Sequence, residues 1–116
     1  MNFKEPQYKM APRIQEIIKE FKTALISQFD GEVLKIMVFG SYAKGEETPE
    51  SDLDILVVVK NKELEKQIDD IAYKIMWNFD FAPLLSIYVI SEEHFNYIKK
   101  IRTGFYESIE EEGIEI

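Results

Sequence analysis

Two stretches of the chain carry apolar residues at helical spacing. In the first, apolar residues recur every three, four or seven positions, namely at Ile14, Ile17, Ile18, Phe21, Leu25 and Phe29. This spacing predicts an amphipathic helix that begins near Pro12, a residue suited to an early helical position, and ends near Asp30-Gly31. The same spacing after Asn61, a good helix cap, predicts a second long helix that runs up to Asp80.

Three short apolar runs predict buried strands, because they are rich in β-branched and aromatic residues. The runs are LKIMVFG (34–40), LDILVVV (53–59) and LLSIYVI (84–90). The second run is almost continuously apolar, which is typical of a strand that is covered on both faces.

The C-terminal quarter predicts a further helix with Ser91 as its cap, and we expect Gly104 to interrupt it. An apolar stripe continues to the acidic run Glu110 to Glu112, and Gly113 is a good helix stop. The last three residues, Ile114 to Ile116, are candidates for a short edge strand.

This order of helices and strands predicts an α/β fold. The connection between the first two strands has only about a dozen residues, close to the minimum for a parallel crossover, so we expect a mixed sheet. A length of 116 residues fits one domain. We therefore predict a single α/β domain over residues 1–116, a mixed β-sheet with helices packed on it.

The composition excludes several classes of function. Fourteen basic and 22 acidic residues give a net charge of −8, which disfavours nucleic acid as a partner. There is no cysteine and only one histidine, His94, so a Cys-ligated zinc, a thiolate nucleophile and a His-rich metal site are excluded. No apolar run reaches the roughly 18 residues of a membrane span and no signal peptide is evident, so we expect a soluble cytoplasmic protein.

The candidate chemistry lies between the first two predicted strands. Asp52 and Asp54 open the second strand, and the period of two places their side chains on one face. Two adjacent carboxylates repel each other, so the pair favours a cation beside it. Mg²⁺ fits, because it prefers oxygen and is commonly held by one or two carboxylates plus substrate phosphates.

A phosphate site is predicted at the end of the first strand. Gly40 lets a phosphate approach the backbone, the hydroxyl of Ser41 can bind phosphate oxygens, and Lys44 can add a positive charge. A Gly-Ser pair alone is usually a turn, and an isolated Asp-x-Asp is usually solvated turn chemistry. Their combination in one strand–turn–strand unit favours a metal–phosphate site.

The chain carries Gly40-Ser41, then ten intervening residues, then Asp52-Leu53-Asp54. This pattern resembles the signature of the DNA polymerase β-like nucleotidyltransferase superfamily. The segment GSYAKGEETPESDLDILV resembles in particular the minimal nucleotidyltransferases, some of which are antitoxins of helical HEPN partners.

The resemblance implies a nucleotidyltransferase fold and names a role for each site residue. Asp52 and Asp54 would be catalytic and hold Mg²⁺, while Gly40, Ser41 and Lys44 would bind the nucleotide. The implied reaction moves a nucleoside monophosphate, AMP from ATP, onto an acceptor hydroxyl with release of pyrophosphate. The implied partner is a HEPN-like protein or a second copy of the chain.

The chain departs from this resemblance at one position. Many active members carry a third acidic residue on a later strand, where this chain offers Ser86 or Tyr88. Asp80 and Glu92 flank that strand, but they are typical loop and helix-start residues.

Two hypotheses follow. In the first, the protein is an enzyme whose acceptor is a protein partner, because 116 residues leave no second domain to hold the acceptor. In the second, it is a weak or inactive transferase fold that binds nucleotide or neutralises a partner by contact.

Four residues outside the motif are candidates for packing or contact. Trp77 and Met76 favour a place in the core or in a partner interface over base stacking. Tyr97 and Tyr106 are candidates for exposed interface aromatics.

Overall fold

The structure is a computed structural model in which residues 10–116 are described. Its α-helices are α1 (Pro12–Gln28), α2 (Ser41–Lys44), α3 (Glu65–Asn78), α4 (Glu92–Ile101) and α5 (Gly104–Glu112). Its strands are β1 (Val33–Phe39), β2 (Leu53–Val59), β3 (Leu85–Ser91) and β4 (Ile114–Glu115). A short 3₁₀ helix, Lys62–Leu64, leads into α3. The long helices α1 and α3 end two residues before the predicted Asp30 and Asp80.

The four strands form one mixed sheet in the order β3-β2-β1-β4. Strand β1 is antiparallel to β2 and to β4, whereas β2 and β3 are parallel. The predicted α/β fold and mixed sheet are therefore confirmed. The predicted edge strand is also present, with Ile114 paired to Val38 and Glu115 paired to Met37.

The sheet buries apolar side chains on both faces. On one face, α1 and α3 cover a large core that includes Phe21, Leu25 and Ile68. On the other face, Ile109 of α5 packs with Met37, Leu56 and Val58 of the sheet in a smaller cluster. Every residue of β2 is buried except Asp54, which is half-buried. A carboxylate at the one open position of a central strand indicates a role other than packing.

Side-chain caps fix the helix starts that the sequence predicts. Asn61 Oδ1 accepts a hydrogen bond from the Glu63 N–H, and Ser91 Oγ accepts one from the His94 N–H. Each cap satisfies a backbone donor that has no partner inside the helix.

The predicted break at Gly104 lies two residues earlier. Arg102 has a left-handed backbone, φ +53°, and ends α4. Thr103 then caps α5 by accepting the Tyr106 N–H, so Gly104 is the first residue of the new helix. None of the helices within residues 10–116 is long and apolar enough to cross a membrane.

The aromatic residues correct two predictions. Trp77 is 60% exposed, so the core is the wrong one of its two predicted placements, and contact with a partner stays a prediction. Met76 beside it does pack against the core. Tyr106 is only 6% exposed, so it is a core residue and not an interface aromatic. Tyr97 is 60% exposed, as predicted.

Candidate active site

The sheet topology brings three strand ends to one edge. Because β1 is antiparallel to β2 and β2 is parallel to β3, the end of β1 meets the starts of β2 and β3. In the register of the sheet, Phe39 pairs with Asp54, and Asp54 pairs with Ser86. Gly40 and Ser41 of the predicted phosphate site therefore lie beside the predicted cation site.

Gly40 lies close against Asp54. Its backbone, φ +75° and ψ −154°, falls in a region that is essentially restricted to glycine. A Cβ at this position would lie 2.3 Å from Asp54 Oδ2. Glycine is therefore required here both by the turn and by the closeness of the carboxylate.

Helix α2 begins at Ser41, directly after this contact. The N–H groups of Ala43 and Lys44 donate to the Gly40 carbonyl and close the only turn of the helix. The first N–H groups of a helix have no partner inside it and point outward from its N-terminal end. Those of Ser41 and Tyr42 are thus suited to bind an anion such as phosphate.

The two carboxylates have different surroundings. Asp52 precedes β2, and its Oδ2 accepts a hydrogen bond from Ser86 Oγ at 3.0 Å. Asp54 is the second residue of β2, where burial, and next the charge of Asp52, raise the pKa of the Asp54 carboxyl. This pKa shift has the sign expected for a carboxylate pair that a cation would neutralise.

The donor set fits Mg²⁺. Asp52 and Asp54 are both half-buried and offer carboxylate oxygens, the ligand type that Mg²⁺ prefers. Within residues 10–116, no third Asp, Glu, His or Cys joins them in a cluster that could hold a metal ion. A cation bound here would therefore take its other ligands from water and from substrate phosphates.

Neither flanking acid replaces the third carboxylate. Asp80 is exposed in the turn between α3 and β3. Glu92 is exposed at the start of α4, at the end of β3 opposite to Ser86. The residue beside the pair is Ser86, whereas Tyr88 pairs with Leu56, two residues further along β2.

Lys44 lies at the other end of α2, among acidic groups. Its Nζ is 3.9 Å from Glu46 Oε1 and 4.0 Å from Glu112 Oε2. Ion pairs this long and exposed contribute little energy, so the Lys44 side chain is free to turn toward a phosphate.

A group of aromatic rings beside the carboxylates was not predicted. The Phe39 ring centroid lies 5.2 Å from that of Tyr88 and 5.6 Å from that of Phe105. Tyr88 is 45% exposed and Phe105 is 40% exposed, so an apolar surface adjoins the site. The alternation of LLSIYVI, which places Ser86 and Tyr88 on one face, was the only signal for it in the sequence.

The raised pKa of Asp54 predicts a pH-dependent stability. Above the ordinary value of 3.8 and below the raised one, the folded state binds more protons than the unfolded state. The free energy of unfolding therefore falls as pH rises through this window. Asp54→Asn cannot titrate, so its melting temperature relative to wild type should rise as pH increases from the ordinary value of 3.8 through the raised one. Thermal unfolding in EDTA measures this difference, and one that is constant or falls would contradict the assignment.

The fold matches solved structures of low sequence identity. A Sulfolobus solfataricus protein provisionally named a nucleotidyltransferase matches with a TM-score of 0.52 and 20% identity, over 99% of this chain and 87% of that chain. A toxin–antitoxin crystal structure with AMP-PNP matches with a TM-score of 0.51 and 16% identity, over 82% of this chain and 68% of that chain. At these identities the likeness concerns the fold alone.

Sequence relatives are closer. Two Methanocaldococcus jannaschii proteins, each provisionally named a protein adenylyltransferase, are 40% and 32% identical to this chain. The first alignment covers 85% of this chain and 93% of the relative, and the second covers 89% and 98%. The sequence model of the nucleotidyltransferase domain matches residues 18–116, which include the whole Gly40 to Asp54 segment. The chain therefore belongs to the nucleotidyltransferase domain family.

Proposed function

We propose that this nucleotidyltransferase is a protein adenylyltransferase, which moves AMP from ATP onto a hydroxyl of a partner protein with Mg²⁺ bound at Asp52 and Asp54. The observation that carries the proposal is the close contact of Gly40 with Asp54. It sets the start of α2, which suits phosphate, against a carboxylate pair, which suits a divalent cation. The names of the two Methanocaldococcus jannaschii relatives support AMP as the group transferred and protein as the acceptor.

The order of the strands suggests where each part of the reaction takes place. Gly40 and Ser41, at the end of β1, would hold the phosphates that leave as pyrophosphate. Asp52 and Asp54, on the central strand β2, would lie at the α-phosphate. Because attack and departure are in line, the acceptor hydroxyl would approach from the β3 side, past Ser86.

The bond changes balance without a further reactant. A bond forms between the acceptor oxygen and the α-phosphorus, and the bond from that phosphorus to the bridging oxygen of pyrophosphate breaks. Pyrophosphate leaves with the electron pair, and the hydroxyl proton passes to water. Bound Mg²⁺ would supply neutralisation of the phosphate charge during the transfer.

A partner protein would dock on the β3 side of the site. There the exposed rings of Tyr88 and Phe105 form an apolar rim next to Ser86. The toxin–antitoxin complex among the fold neighbours supports a toxin as that partner. The resemblance of the Gly40 to Asp54 segment to minimal nucleotidyltransferases extends the proposal to a helical toxin of the HEPN type.

Radiolabel transfer tests the proposal. The purified chain is incubated with a purified HEPN-type protein as the test partner, Mg²⁺ and ATP labelled at either the α- or the γ-phosphate. We expect label on the partner from α-labelled ATP only, because AMP is transferred and pyrophosphate is released. Label from γ-labelled ATP would instead indicate a kinase, and label from neither would remove the support for transfer.

The second candidate function is a binding module without turnover. It is favoured by Ser86, a neutral residue at the position beside the carboxylate pair. The double variant Asp52→Asn/Asp54→Asn separates the two candidates in an assay of partner inhibition. Full inhibition by this variant would favour the binding module, whereas loss of inhibition with binding retained would favour the enzyme.

Lys44→Gln is expected to have a modest effect on nucleotide binding. An exposed charge pair contributes about 0.2–1 kcal/mol, so KM for ATP should rise by at most about fivefold, with kcat unchanged. Lys60→Gln is the matched control, because Lys60 is exposed at the far end of β2. Steady-state kinetics measure both variants, and a fall in kcat for Lys44→Gln would contradict its assignment to phosphate binding.

A further inference from the structure

Ser86 contacts both members of the carboxylate pair. Its backbone pairs with Asp54 in the parallel ladder between β2 and β3. Its Oγ donates a hydrogen bond to Asp52 Oδ2 at 3.0 Å. No other hydroxyl in the described part of the chain donates to Asp52 or Asp54.

The hydrogen bond from Ser86 matters for the orientation of Asp52, because Asp52 has fewer other restraints than Asp54. Asp54 lies within β2, where the ladder and the contact with Gly40 restrict its side chain. Asp52 precedes β2 and so lies outside the strand. A free carboxylate at such a position has several rotamers, and ordering it to bind a cation costs conformational entropy.

The chemistry of the hydroxyl suits the task of fixing a ligand. A serine hydroxyl has one proton to donate, and in this structure Asp52 Oδ2 accepts it. The Asp52 Oδ1 and the remaining lone pair of Oδ2 stay available to a cation. Because Ser86 is neutral, it orders the carboxylate without adding a third negative charge to the pair.

We propose that Ser86 is a positioning residue, whose hydroxyl holds the Asp52 carboxylate in the orientation that binds the divalent cation accompanying the nucleotide. This inference rests on the proposed function, since it assumes a cation at Asp52 and Asp54. Groups that hydrogen-bond to metal ligands typically contribute 10- to 100-fold to metal affinity.

A purely structural role for Ser86 predicts a different result. The seven paired positions of β2 and β3 do not depend on the hydroxyl, and Ser86 is half-buried at the start of its strand. Ser86→Ala should therefore fold. A structural role would change the unfolding temperature, whereas a positioning role changes the affinity for the cation.

Mn²⁺ binding tests the proposal without any measurement of transfer. Free Mn²⁺ is followed by electron paramagnetic resonance in the presence of α,β-methylene-ATP, which carries no transferable AMP group. We expect Ser86→Ala to weaken Mn²⁺ binding by about 10- to 100-fold, and Ser86→Thr, which keeps the hydroxyl, to restore it to within about threefold of wild type.

A double-variant comparison makes the test specific. In the Asp52→Asn background, Ser86→Ala should change Mn²⁺ affinity by less than about twofold, because the carboxylate that it orders is gone. An equal loss in both backgrounds would overturn the positioning role, and so would a Ser86→Ala affinity within about twofold of wild type. Either result leaves the proposed function in place, whereas a wild-type protein that binds no Mn²⁺ with the nucleotide overturns both.

Discussion

Asp52→Asn or Asp54→Asn is expected to lower AMP transfer by more than about 100-fold. Each variant changes a proposed metal ligand, and substitution of a residue that merely hydrogen-bonds to a metal ligand already costs up to about 100-fold in metal affinity or activity. The amide of asparagine keeps the shape of the side chain but removes its negative charge. The loss should appear in kcat with little change in the overall fold, since both side chains are half-buried at the start of β2. Label transfer from α-labelled ATP measures the activity, and circular dichroism checks the fold.

Asp80→Asn is the matched control for this prediction. Asp80 is an exposed carboxylate in the turn before β3, with a left-handed backbone that asparagine tolerates. It should keep the activity of wild type. If Asp52→Asn and Asp54→Asn were as active as Asp80→Asn, the carboxylate pair would not be the catalytic site.

Gly40→Ala is expected to abolish ATP binding and to destabilise the protein by about 1–3 kcal/mol. The backbone conformation at Gly40 is one that alanine rarely adopts, and the added Cβ would meet Asp54 Oδ2 at 2.3 Å. Relief of this overlap requires movement of either Asp54 or the start of α2, so the two halves of the site would separate. Urea unfolding and ATP titration measure the two effects.

Gly45→Ala separates strain from loss of the site. Gly45 also has a positive φ, +73°, but an added Cβ would meet no atom within 4 Å. The free energy of unfolding of this variant should fall only by the cost of the left-handed backbone, about 1–2 kcal/mol. The variant should bind ATP normally. Equal ATP affinity in Gly40→Ala and wild type would contradict the contact on which the proposed function rests.

The sequence predicted those parts of the fold and site that depend on local patterns. Gly40, Ser41, Asp52 and Asp54 lie at the ends of two strands that are consecutive in the chain, so their meeting follows from a short connection. The mixed sheet follows from the same connection, which is too short for an easy parallel crossover. The caps at Asn61 and Ser91 involve residues only two or three positions apart.

The parts that failed or stayed open depend on contacts between distant segments. The choice between Ser86 and Tyr88 required the register of β3 on β2, two strands that α3 separates in the chain. The pairing of Lys44 with Glu112 likewise joins residues far apart in the chain.

The exposure of Trp77 follows from its position in the sequence. The buried stripe of α3 is Ile68, Ile71, Ala72 and Ile75. Trp77 follows Ile75 by two residues, which is about 200° around the helix. This rotation places Trp77 on the exposed face, where it is found.

A crystal structure of the protein with Mn²⁺ and α,β-methylene-ATP tests the central claim most directly. Anomalous scattering would locate the cation independently of the protein map. The account predicts one Mn²⁺ bound by carboxylate oxygens of both Asp52 and Asp54, with the nucleotide phosphates against the backbone of Gly40 and Ser41. Mn²⁺ and nucleotide bound together away from these four residues would contradict it.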